Sequence, residues 1–157
     1  MMAALEWLSA SFLAQALTAS PTLYLFVNAA HILSIGILAG AILPLDLRIL
    51  GFFSRFPLSV LGPFLSRSAM AGVVLAMLTG MTLFTVKAPE YAANVAFLTK
   101  LVLLGGGIAN ALLLHAHAGW QDALKTERAS VSVKVFATIS LIAWIAAIVA
   151  GRWIGFL

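Results

Sequence analysis

Residues 28 to 48 read NAAHILSIGILAGAILPLDLR. Between His31 and Asp46 every side chain is aliphatic, small or a lone hydroxyl. An apolar run of this kind, extended upstream to about residue 22, matches the roughly twenty helical residues that cross a hydrocarbon core of about 30 Å. It therefore sets the fold class, and His31 inside it poses the functional question.

The rest of the chain agrees. Of 157 residues, 63% are hydrophobic and only 9% charged, and the mean hydropathy is +1.11. A soluble domain could not cover its surface with so few polar groups, whereas lipid accepts apolar side chains without penalty. Four stretches are long and apolar enough to span, at about 22–44, 69–87, 95–117 and 133–154. Backbone groups in lipid must be satisfied within the segment, so these are helices. The expectation is an all-α polytopic membrane protein, a four-transmembrane-helix up-down bundle over 21–157. Residues 1–20 place Leu5, Leu8, Phe12 and Ala16 at helical spacing and carry no Lys or Arg. They read as an N-terminal interfacial helix ending at Ser20-Pro21, not as a signal peptide.

Charge predicts orientation. Arg48, Arg55 and Arg67 lie in the first connection and Lys125, Arg128 and Lys134 in or beside the third. Those connections should face the cytoplasm of a bacterial inner membrane, with both termini on the periplasmic side. The net charge of +4 then reflects topology, and scattered arginines without a basic helix argue against nucleic acid. The apolar stretch 45–68, interrupted by Pro57 and Pro63, reads as a connection lying on the inner membrane surface. Asp46 and Arg48 are expected to form a local pair there. With no cysteine, disulfides, thiolate metal sites and thiol chemistry are excluded.

Few polar groups occupy the spans: Asn28, His31 and Ser34 in the first, and Lys100, Asn110, His115 and His117 in the third. An ionisable side chain near a helix centre in lipid costs about 2.5–3.5 kcal/mol, so it faces the bundle interior and has a partner. His31 and Lys100 differ in depth by about 6 Å, within reach of a lysine stem, whereas His115 lies about 16 Å deeper than His31. The two histidines are therefore separate metal-ligand candidates. Met77 on the antiparallel second span falls near the depth of His31. Gly105-Gly106-Gly107 lies at similar depth and would admit a flat group or a second helix. Gly36 and Gly40 form a G-x-x-x-G pair that permits close helix packing.

His31, Ala39-Gly40, Leu43-Pro44 and Arg48, followed by Phe97, Lys100, Leu101, Leu103, Leu104 and a closing His115, resemble the small four-helix membrane proteins grouped with the CopD domain of copper resistance and the HemJ family of protoporphyrinogen oxidases. The HemJ likeness implies a b-type haem with His31 and Lys100 at the functional positions. The CopD likeness implies copper held by histidine and methionine, for which Met70, Met77 and Met81 are available. Neutral imidazole is a good haem ligand in a low-dielectric pocket. The leading expectation is a haem-b-binding, electron-transferring membrane protein whose cofactor site draws on His31, Lys100, Met77, Gly106, Gly107 and His115. The other reading is a non-catalytic accessory subunit that packs as a homo-oligomer or within a larger membrane complex. A third, structural reading of His31 is a hydrogen bond across helices to Asn110, Ser34 or a backbone carbonyl.

Overall fold

The computed structural model describes residues 2–156. Eight α-helices follow in order: α1 Met2–Ser9, α2 Phe12–Ala19, α3 Pro21–Leu50, α4 Leu58–Phe84, α5 Ala88–Ala93, α6 Val95–Ala116, α7 Ala118–Thr126 and α8 Val131–Trp153. Short 3-10 turns cover Thr85–Lys87 and Ile154–Phe156. Four helical stretches are long and apolar enough to cross a membrane, beginning at Pro21, Leu58, Val95 and Val131.

Local chemistry fixes the helix starts. Ser20 caps α3 by accepting from the Leu23 amide, Asn94 caps α6 through Phe97, and Ser130 caps α8 through Val133. The first two spans run further than their sequence suggested. The stretch 45–68, expected as a surface connection, belongs mostly to α3 and α4, and only residues 51–57 link them. α3 continues through Pro44 because Leu45, Asp46, Arg48 and Ile49 beyond it are buried against neighbouring helices. It stops at Gly51, whose φ of 113° is the left-handed conformation that ends helices. At 30 residues, α3 is about 45 Å long and exceeds the hydrocarbon thickness.

α3 packs along α4 and also on α8, and α8 packs on α6. α3 and α6 are thus both neighbours of α8. The closest approach is between α3 and α4 at Gly72, where a Cβ would stand 2.6 Å from the Leu38 backbone nitrogen. At one end Leu45, Ile49, Leu58, Trp120 and Val133 are buried together, closing the bundle beneath α7. This is the basic end, with Arg48, Arg55, Lys125 and Arg128.

The opposite end carries the N-terminal segment. Where one helix was expected over 1–20, the described residues form two, broken at Ala10–Ser11, with Ser11 capping α2. They pack on α5 and the adjoining 3-10 turn. Ala14, Leu17 and Ala88 are buried there, and the Ala88 amide donates to Ser9 Oγ over 3.2 Å.

Candidate functional site

His31 sits in α3 about ten residues from its start, half-buried, with its ring against α4. Its Nδ1 lies 2.9 Å from Thr79 Oγ1. The Thr79 hydroxyl has a single proton, and that proton is donated to the Leu75 carbonyl at 2.7 Å. With its proton on Leu75 O, Thr79 accepts from Nδ1–H of His31, and in that tautomer Nε2 carries the lone pair. Gly80 makes room for the ring, since a Cβ there would come within 3.0 Å of His31 Cε1.

Lys100 enters the same layer from α6 and lies within Coulombic range of His31. Its stem rests on Gly151 of α8, where a Cβ would meet Cδ, Cε and Nζ at 3.4–3.5 Å. Among the described residues the ion pairs are Arg48–Glu127 and Lys87–Glu90, so Lys100 has no carboxylate partner.

The other sequence candidates go elsewhere. Met77 is 45% exposed, two residues from Thr79 and therefore turned to another face of α4. The three glycines separate: Gly105 and Gly106 are exposed with open space beside them, while Gly107 is buried under the Trp144 indole, 3.1 Å from a would-be Cβ. The flat group over Gly107 is thus the chain's own tryptophan. His115 is at the basic end, with Nδ1 2.7 Å from the Ala111 carbonyl and Nε2 3.2 Å from Ser66 Oγ. His117 caps α7, its Nδ1 accepting from the Gly119 amide at 2.9 Å. Among the described residues no three His, Cys, Asp or Glu side chains are gathered as metal ligands.

Of the sequence's structural partners for His31, Asn110 and Ser34 do not serve it, while the backbone carbonyl of Ala76 on α4 lies close to the imidazole. Ser34 Oγ donates to Ala30 O at 2.6 Å, and Asn110 Nδ2 donates across to Phe136 O on α8 at 3.0 Å. Thr79, the partner that does, carries no distinguishing signal in sequence, because a helical threonine ordinarily bonds its own backbone.

The expected Asp46–Arg48 pair is not formed. Two residues apart on a helix, the two side chains point in divergent directions. Arg48, 6% exposed, reaches Glu127 at 3.2 Å and the Phe56 carbonyl at 2.7 Å. Asp46 turns to α8, where its Oδ2, Ser140 Oγ and Trp144 Nε1 are all buried without a hydrogen-bond partner. Glu127 also accepts from the amides of Leu58 and Ser59 at the start of α4. Pro57 at that N-cap offers no side-chain hydrogen bond, so the cap comes from the far side of the sequence.

Toward a haem, the residues present offer an imidazole held through Nδ1 on Thr79 and, on α6, an amine with no acid partner among the described residues. Orientation of a ligating histidine through its second nitrogen is the usual arrangement in metal centres. A crevice of about 660 Å³ between α6 and α8, lined by Thr99, Leu103, Ile142, Ala146 and Val149 among others, borders neither His31 nor Lys100.

No curated protein and no solved structure matches the chain. Residues 4–157 match the model of a family of unknown function, DUF6644, and the chain belongs to that family.

Proposed function

We propose that this is a multi-pass membrane protein that binds haem b for electron transfer, with His31 Nε2 as an iron ligand and Lys100 Nζ as the second nitrogen donor from this chain. The observation that supports the reading is the contact of His31 Nδ1 with Thr79, whose hydroxyl also reaches Leu75 O, since an imidazole held through Nδ1 has Nε2 available as a donor atom. Bound there, the haem would supply one-electron chemistry. The chain's own part is to orient the imidazole through Thr79, hold an amine without an acid partner among the described residues, and keep the site at low dielectric. The likeness to HemJ proteins at His31 and Lys100 supports the same assignment. By the excess of arginine and lysine at the basic end, that end faces the cytoplasm of a bacterial inner membrane. The absence of native cysteine makes single-cysteine labelling at positions 55 and 94 a direct check of this sidedness.

The test is a reduced-minus-oxidised visible spectrum of protein purified in mild detergent from haem-replete cells. A sharp alpha band is expected, lost in His31→Ala and, in Lys100→Leu, altered together with a gain of carbon-monoxide binding. A colourless preparation overturns the proposal.

An accessory-subunit role is favoured by a separate observation. Gly36 and Gly40 lie exposed on α3 with nothing within 4 Å of a would-be Cβ, beside exposed Ile32, Leu33 and Ile37. Such a face suits close packing of a second transmembrane helix. Native mass measurement distinguishes this reading: a stable oligomer or co-purifying partner that Gly40→Ile dissociates supports it, and a monomer unchanged by that substitution opposes it.

A further inference from the structure

At the basic end, far from His31, α4, α6 and α7 leave a crevice of about 370 Å³. Ser66, Arg67 and Met70 border it from α4, His115 from α6, and Trp120 and Gln121 from α7. No carboxylate lines it. Arg67 is exposed and, among the described residues, has no acidic partner.

The walls are fixed. His115 is held through both nitrogens, on Ala111 O and Ser66 Oγ, and its ring packs on Trp120 with centroids 5.3 Å apart. Trp120 is buried in turn against Gly62, where a Cβ would come within 3.1 Å of the indole. The level is also defined, because α6 ends one residue after His115 and α7 turns across the bundle. This is where a spanning helix leaves the hydrocarbon. Pro63 and Leu124 complete a mostly apolar lining, so Arg67 and Gln121 border an apolar crevice that continues into the helix flank where Met70 is 64% exposed.

A guanidinium and a carboxamide bordering a mostly apolar crevice, joined to an apolar flank, suit a phosphodiester carrying acyl chains. We propose that this crevice is a binding site for an anionic phospholipid, with its phosphate on Arg67 and Gln121 and its chains running along α4 past Met70. Arginine binds phosphate oxygens through paired N–H donors, and basic pockets between spanning helices at a membrane surface take such headgroups. A free phosphate shares the headgroup chemistry. The apolar flank favours the lipid.

Native mass spectrometry of the delipidated full-length protein tests this, with graded addition of phosphatidylglycerol, phosphatidylcholine or inorganic phosphate. One phosphatidylglycerol should bind at lower concentration than phosphatidylcholine, and Arg67→Gln should raise the concentration required about tenfold, the loss expected for a charge-assisted contact. Arg55→Gln, at the same end but outside the crevice, should bind as wild type does. Circular dichroism establishes that each variant keeps its helices, and a misfolded Arg67→Gln is replaced by Gln121→Ala, which should weaken binding in the same direction. Equal binding of both lipids, or no effect of a folded Arg67 or Gln121 variant, overturns the site. Saturation by inorganic phosphate that displaces the lipid overturns the lipid assignment.

Discussion

A histidine in lipid is expensive unless its ring nitrogens are hydrogen-bonded, and here Nδ1 meets a threonine hydroxyl. Interhelical hydrogen bonds in membranes contribute about 0.6 kcal/mol on average and up to about 1.7. Thr79→Val, which keeps the shape and removes the acceptor, should lower stability in bicelles by about that range. A double-mutant cycle with His31→Ala should recover the coupling, and additive effects would show that the 2.9 Å contact contributes nothing. Thr79→Ser should restore it. If haem is bound, Thr79→Val should also shift the midpoint potential while keeping the alpha band, a change that a purely structural hydrogen bond would not make. His31 and Lys100 were legible in the sequence because ionisable groups in an apolar span stand out. Thr79 was not, since its hydroxyl bonds to its own helix whether or not a neighbour needs it. The glycine run misled for a geometric reason: successive helical residues turn by about 100°, so three glycines in a row cannot share one face.

Between elements, the glycines divide into those that pack and those that do not. A Cβ on Gly72 would meet backbone atoms of Leu38 at 2.6 and 2.8 Å, and backbone cannot rotate away. Gly72→Ala should therefore push α3 and α4 apart and destabilise by about 1–3 kcal/mol, the range for overpacking. Gly40→Ala meets nothing within 4 Å, so in a monomer it should be neutral or gain up to about 1 kcal/mol of helix propensity. Unfolding of the two variants side by side checks this, and equal effects would refute the assignment of the α3–α4 contact. The four spans were readable from hydropathy, as was the antiparallel order. Their lengths were not, because the stretch 45–68, interrupted by Pro57 and Pro63, read as a surface connection, whereas α3 runs on through Pro44 and α4 through Pro63. A proline removes one backbone hydrogen bond and crowds one carbonyl, a local cost that the burial of Leu45 and Ile49 against α4 and α8 outweighs. The two-helix N-terminal segment was equally hidden, because its partners, α5 and the 3-10 turn, come some seventy residues later.

For the molecule as a whole, the basic end is fastened by one carboxylate. Glu127 joins the end of α3 through Arg48, the start of α4 through two amides, and the α7–α8 connection through its own backbone, held at a φ of 59°. Hydrogen bonds from Ser59 and from the Leu58 and Ser59 amides hold its carboxyl below the ordinary value of 4.5, with Arg48 adding to the effect. The helix-terminal amides favour the charged form for the same reason that anions collect at helix N-termini. Because the folded state holds the proton more weakly than the unfolded chain, this contribution is complete above the unfolded value and is lost as the pH falls through the lower, folded value. Glu127→Gln retains the left-handed backbone and one acceptor but not the charge. The difference in thermal midpoint between wild type and Glu127→Gln should be greatest near about pH 6 and shrink steadily below 4.5, while other carboxylates cancel in the comparison. A difference that stays constant from about pH 6 to pH 3 would mean that the ionised carboxylate does not hold the two hairpins together at this end.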